Sequence, residues 1–327
     1  MKVLGRFRVW VWTKLALAAV GSLLIQAGLA AELQGDLRIH DPSTLIRCSD
    51  RYYVFGPGPG ILSKSSADLV TWTAGPRVFA TPPAWTTNTV PGFRGSFWAP
   101  DVFFTNRTYW LFYSVSTWGS QTSMIGVVTN ATLDAASPNY HWTDCGPVVQ
   151  SSPSDDFNAI DPSVARDASG RLWLAFGSYW SGIEGVQLNP ATGKPLAPDI
   201  PRYPLVWNTS IEAACLWSHG GWHYLFVNWE RCCAGVNSTY NLRVGRSRTI
   251  TGPYLDRDGK DLREGSGTLF LDTVGRFIGP GHAGILEASG TSWFSFHFYD
   301  GNNGGRPTLQ IRRLDWTADG WPALGDR

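Results

Sequence analysis

The sequence predicts an all-β chain folded as a five-bladed β-propeller, and three observations carry that reading. An Asp-Pro-Ser motif occurs twice, at Asp41 and at Asp161. The segments that follow match each other, "DPSTLIRCSDRYYVFGPG" from Asp41 and "DPSVARDASGRLWLAFGS" from Asp161. The same cadence returns three more times, as "APDVFFTNRTYWLFYSVS" from Ala99, "IEAACLWSHGGWHYLFVNW" from Ile211 and "GHAGILEASGTSWFSFHFYD" from Gly281.

Each copy holds two apolar, β-type runs around a turn rich in Gly, Ser, Asp or Asn, which is a hairpin signal. A third strand follows each hairpin: "GILSKSS", "SMIGVVT", "GIEGVQL", "NLRVGRS" and "LQIRRLD". A fourth would complete a four-stranded antiparallel meander. The repeats are longer than the roughly 40–50 residues of common blades, so loops are inserted between strands. No helical period is sustained, and the 36 Gly and 21 Pro fall between the runs as turn residues. Packing blades face to face around an axis protects their short edges. If each motif opens the innermost strand of its blade, Asp41, Asp101, Asp161, Glu212 and His282 meet at one mouth of the channel. A two-domain β protein is the alternative architecture, but it does not require five matched hairpins.

Composition narrows the function. The net charge is +1, which argues against nucleic acid, whose binders carry a strongly basic surface. Only 16% of residues are charged and 17 are Trp, which suits a buried β fold and also sugar binding, because C–H faces of sugars pack on flat rings. Lys2, Arg6, Arg8 and Lys14 open the chain, Leu15 to Ala31 carries no charge, and Gly28, Ala30 and Ala31 offer cleavage after Ala30 or Ala31. This is a secretory signal pattern over residues 1–31, leaving 32–327 as one catalytic propeller domain. An uncleaved anchor is the alternative, since the run is at the short edge of the about 20 residues that span a bilayer. The expected location is extracellular, or periplasmic in a Gram-negative host. No stable membrane insertion is expected. Of the five Cys, Cys48, Cys145 and Cys215 are scattered, while Cys232 and Cys233 are adjacent. The neighbours either close a strained ring or pair elsewhere or stay free. No spacing supports a zinc site. Sequons stand at Asn106, Asn130, Asn208 and Asn237.

The converging positions carry four carboxylates and a His. Like charges in one confined site raise one another's pKa. Glycoside hydrolysis needs such a set, one carboxylate as base or nucleophile and one carboxylic acid as proton donor. No phosphate-cradling loop, dinucleotide fingerprint or Ser-His-Asp spacing competes with it.

"IHDPS", "FWAPDV", "NAIDPSV", "IEAA" and "GPGHAG", in this order, resemble glycoside hydrolase family 43, and within it the secreted α-1,5-L-arabinanases and related arabinofuranosidases. The resemblance runs from about Leu37 to Trp321, and "SADLVTW" and "GSYWSGI" belong to it. It implies an inverting general acid/base mechanism on α-1,5-linked arabinan. Asp41 matches the general base, Glu212 the general acid, and Asp161 the third carboxylate, which orients the acid and keeps its pKa high. His282 matches a His that helps hold a hydrated ion, often calcium; no cofactor is required for the chemistry itself. A core His bonded to a backbone carbonyl is the plain alternative. The Cys232–Cys233 pair resembles a stiff apolar platform at the cleft rim of some arabinan-active members.

The remaining candidates come from position. His40 precedes the base. Trp98, Trp118, Trp180 and Trp229 are placed to stack on sugars or to pack between blades. Asn158 and Ser178 are placed to bond sugar hydroxyls or to shape turns, and Arg306 to close the rim or cap a strand. Asp101, after Pro, bonds backbone N–H groups more readily than it does chemistry. Three other readings stay open: exo-acting arabinofuranosidase or β-xylosidase, a glycan-binding propeller without catalysis, and a sucrose-type retaining propeller. The last expects Asn-Asp-Pro and Arg-Asp-Pro, whereas this chain has His-Asp-Pro and "ARDAS". A monomer is expected.

Overall fold

A computed structural model describes residues 32–325. The signal peptide expected over residues 1–31 lies outside the described residues. Five sheets follow one another along the chain, each built on an antiparallel meander of four strands in sequence order from the inside out. Their inner strands are Ile46–Cys48, Ser96–Thr105, Ser163–Arg166, Ile211–His219 and Phe277–Ala288. This is the five-bladed propeller.

Blades one and two each gain a short strand beyond the expected four. Gln34–Gly35 runs parallel to Thr71–Ala74 on the outer edge of blade one, and Gly58–Pro59 pairs with the start of Ser96–Thr105. One short helix, Ala84–Thr89, sits in the connection into blade two, where the sequence pattern foresaw only a loop.

The second strands read as unbroken apolar runs because both of their faces are buried. In Thr108–Val115, Tyr109, Leu111, Tyr113 and Val115 join the core shared with blade one. The alternate residues Trp110 and Phe112 join the core shared with blade three. The two-residue period of a strand thus divides one run between two neighbours. The other three cores fill the remaining gaps around the ring. Each fully buried Phe among them contributes roughly 1.5–3 kcal/mol over an exposed one.

The ring closes between the last blade and the start of the first. Ile39 N–H donates to Pro307 O at 3.2 Å, and Leu309 N–H donates to Leu37 O at 2.8 Å. The buried ammonium of Lys64 pairs with Asp36 beside this junction. Close approach also matters on the channel side. A Cβ at Gly284 would fall 2.8 Å from Thr44 Cα, so glycine there lets blade five reach blade one.

Candidate active site

Asp41 and Asp161 stand before the inner strands of their blades and His282 within that of blade five, all with left-handed backbones at φ 40, 56 and 58°. A non-glycine residue there is strained and has to be held by its surroundings. In each case a side chain on the second strand of the preceding blade around the ring does so. Asp161 N–H donates to Ser114 Oγ at 2.9 Å, His282 N–H to Asn228 Oδ1 at 2.9 Å, and Asp41 N–H to His297 Nδ1 at 3.1 Å.

The five motifs do not align as the sequence pattern had them. In blade four the left-handed position belongs to Ala213, at φ 56°, and Glu212 precedes it by one residue. Ala213 N–H donates to Asp161 Oδ2 at 3.1 Å, which couples the two carboxylate positions through one amide. Asp101 lies within the regular inner strand of blade two. Its Oδ1 accepts from Thr44 N–H at 3.1 Å and its Oδ2 from Val164 N–H at 3.0 Å. It is a strut between blades one and three.

A pocket of about 500 Å³ opens at this end of the channel. Asp41, Asp161 and Glu212 line it together with His40, Trp98, Cys232 and Cys233. Trp118 borders it, 77% exposed, with its ring 5.0 Å from that of Trp98.

The carboxyls are driven in opposite directions. Burial would raise Asp41, but the charge of His40 and hydrogen bonds from His282 and His40 outweigh it and hold Asp41 well below the usual range. His40 Nδ1 lies 2.7 Å from Asp41 Oδ2, and His282 Nδ1 3.5 Å from Asp41 Oδ1. Burial pushes Glu212 up to about 8, and the negative charge of Asp161 adds to the rise. Burial likewise lifts Asp161 to about 7, with the charge of His282 opposing and that of Asp41 adding. Burial raises both, so this pair retains a proton that Asp41 gives up. Tyr240 donates to Glu212 Oε1 at 2.8 Å. One pocket therefore presents an ionised carboxylate and a carboxylic acid at neutral pH, which is what acid/base cleavage of an acetal bond requires.

Several sequence candidates fall elsewhere. Asn158 and Ser178 are buried and bonded to each other, Nδ2 to Oγ at 2.9 Å, and neither lines the pocket. Arg306 opens an exposed strand end in blade five; its neighbours Gly305 and Pro307 line the pocket while its own side chain does not. Trp180 is exposed away from the pocket lining, and Trp229 carries the Arg243 guanidinium 4.7 Å above its ring. Cys232 and Cys233 are joined in a disulfide, and Cys48, Cys145 and Cys215 are free thiols.

The sequence pattern missed Asn228, Tyr240, His297 and Tyr299. Asn228, His297 and Tyr299 sit near the ends of second strands, in "FVNW" and "FHFYD". A search for polar residues interrupting these aromatic runs would have found Asn228 and His297.

A resident cation was tested against His282. Its buried Nδ1 reaches Asp41 Oδ1 only at 3.5 Å, and burial, which would lower its pKa, is outweighed by Asp41, Asp161 and Asp101, so that it rises to about 9. The carboxylate field that favours a proton there also favours a cation, which would take the imidazole in its neutral form. Calcium takes about six to eight oxygen ligands, so His282 fits only an ion that keeps most of its water. The cluster of His40, Asp41 and His297 is a poorer fit, because its donor atoms are engaged with one another.

The model of the glycosyl hydrolases family 43 matches residues 35–322. The chain is 38% identical over 302 residues to the extracellular exo-α-(1→5)-L-arabinofuranosidase of Cellvibrio japonicus, covering 88% of this chain and 87% of that one. It is 40% identical over 293 residues to the extracellular endo-α-(1→5)-L-arabinanase 1 of Bacillus subtilis, covering 87% of each. Among solved structures, an exo-1,5-α-L-arabinanase from a bovine ruminal metagenomic library superposes with a TM-score of 0.85 at 39% identity, over 90% of this chain and 100% of that one.

Proposed function

The chain belongs to the glycosyl hydrolases family 43, and from that premise we propose that it hydrolyses the α-1,5-L-arabinofuranosidic bonds of arabinan with inversion at the anomeric carbon. The observation that carries the proposal is the opposed displacement of two carboxyls in one pocket, Asp41 downward and Glu212 upward.

In this reading Asp41 accepts a proton from water as the water attacks the anomeric carbon. Glu212 gives its proton to the departing sugar oxygen. Asp161 takes no proton from substrate; its charge keeps Glu212 protonated, and its bond to Ala213 N–H fixes the chain beside the acid. Trp98 and Trp118 supply flat apolar surface for a sugar ring. A hydrated divalent cation, held through His282, supplies positive charge near Asp41 when bound.

We assign endo attack, because the pocket is bordered by an exposed Trp118 instead of being sealed there. Exo release is the second reading, favoured by the exo-acting relative at nearly the same identity. The basic opening and uncharged run of residues 1–31 support secretion, and no helix among the described residues is long and apolar enough to cross a membrane.

Linear arabinan is the test substrate. Endo action yields a ladder of oligomers, and exo action one short product. Proton NMR of the first turnovers separates inversion, which forms the β-anomer first, from retention. Asp41→Asn and Glu212→Gln are each expected to lose about 10³-fold or more in kcat. If both keep full activity, the assignment of base and acid is wrong.

A further inference from the structure

The cysteine pair is a feature of the sequence that the chemistry above leaves unused. Cys232 and Cys233 lie in the loop after the second strand of blade four, and Cys233 holds a left-handed backbone at φ 63°. Its N–H donates to the Tyr299 hydroxyl at 2.7 Å. The same oxygen lies 2.7 Å from His40 Nε2, and His40 Nδ1 lies 2.7 Å from Asp41 Oδ2. Tyr299 is 2% exposed, so this hydroxyl has little water to bond instead.

The direction of the chain follows from donor chemistry. An amide only donates, so the Tyr299 oxygen accepts from Cys233. Towards His40 Nε2 the hydroxyl donates when the imidazole is neutral and accepts when it is charged. In both states Nδ1 carries a proton pointing at Asp41. The path crosses three blades: Cys233 on four, Tyr299 on five, His40 and Asp41 on one.

We propose that the Cys232–Cys233 disulfide is a positioning device for the reaction, fixing the Cys233 amide so that Tyr299 and His40 hold the Asp41 carboxylate in its attacking orientation. The proposal rests on Asp41 being the base. A non-glycine residue at positive φ persists only while its surroundings enforce it, and the short ring closed by the two sulfurs is such a constraint. Reduction breaks the S–S bond. The two sulfurs take up two electrons and two protons to become thiols, and dithiothreitol supplies both as it closes to its own cyclic disulfide. Cys233 can then relax, and the far end of the relay loses its anchor.

The competing role is direct contact, since both cysteines line the pocket and their sulfurs could carry a sugar. The two roles differ in what they change. A sugar platform acts on KM, whereas a group that orients the base acts on kcat.

The experiment measures kcat and KM on a defined linear arabino-oligosaccharide for four species. These are the oxidised wild type, the dithiothreitol-reduced wild type, Tyr299→Phe, and the Cys232→Ser/Cys233→Ser double variant. The expected result is a fall in kcat of about 10-fold or more in each altered species, with KM within about twofold. Reducing Tyr299→Phe should cost nothing further, because the relay is already cut. If the serine variant does not fold, the reduced wild type represents the same state, with reduction counted by alkylation and mass and the fold checked by near-ultraviolet circular dichroism. A rise in KM with kcat retained makes the pair a sugar platform and overturns the proposal. Full kcat in Tyr299→Phe overturns it too, as do losses from reduction and Tyr299→Phe that multiply. An inactive oxidised wild type would overturn the assigned reaction and the relay with it, whereas an active one with a silent Tyr299→Phe overturns the relay alone.

Discussion

Tyr240 donates a 2.8 Å hydrogen bond to Oε1 of Glu212, and it reaches that carboxyl by packing on Gly281, where any Cβ would fall 2.4 Å from the tyrosine ring. Burial and the surrounding carboxylates hold the Tyr240 hydroxyl well above its ordinary range, so it stays a donor.

Removing that donor should move the pH profile in a defined direction. The Tyr240 bond favours the ionised form of Glu212, so Tyr240→Phe raises the Glu212 pKa further. On the proposed mechanism Glu212 works protonated, so activity is lost as pH rises through that pKa. The alkaline limb of kcat is expected to shift upward, by about one unit. An unmoved limb would separate Tyr240 from the acid.

Asp161→Asn should shift the same limb the other way. Burial is the largest cause of the raised Glu212 pKa, and the charge of Asp161 is next. With the charge gone, Glu212 ionises at lower pH and the alkaline limb moves down. The amide oxygen still accepts from Ala213 N–H, so the local fold is kept. A fall in kcat of about 10²-fold or more is expected at neutral pH.

Glu212→Gln should stabilise the fold only on the alkaline side. A carboxyl whose folded pKa is raised costs stability as pH climbs from its unfolded value, near 4.5, to its folded value, about 8. Below that window both states are protonated and nothing is lost. Thermal unfolding is expected to show Tm a few degrees above wild type at about pH 9, and no gain at about pH 4. Equal gains at both would mean the effect is not titration.

Trp118→Ala should weaken binding and leave turnover alone. The ring is 77% exposed and rests against Trp98, so its removal leaves no buried cavity. KM on arabino-oligosaccharides is expected to rise about 3- to 10-fold with kcat nearly unchanged.

The propeller was legible because blades repeat. The matched hairpins from Asp41, Ala99, Asp161, Ile211 and Gly281 do become the inner two strands of five sheets. The carboxylates of the pocket were legible for the same reason, since equivalent positions converge. Register was not. Pairing Glu212 with Asp41 and Asp161 looked natural by charge, but the backbone places Ala213 there, because a bulge separates Glu212 from Cys215 in the ladder. Asn158, Ser178 and Arg306 were placed by proximity to motifs, and proximity along a strand does not say which face a side chain takes. Tyr240 and Tyr299 could not be singled out, because in aromatic strands a Tyr whose hydroxyl reaches a carboxyl or an imidazole looks like one that only fills a core.

The ring closure has a consequence in time. Asp41 is made early, yet its neighbours His282, His297 and Tyr299, the last acting through His40, all belong to the fifth blade. The segment just before it is stitched to Pro307 and Leu309. A growing chain therefore carries Asp41 long before these partners exist to hold it. With Asp41 as the proposed base, turnover waits for the final blade to dock on the first, and hydrolysis becomes a readout of completed assembly.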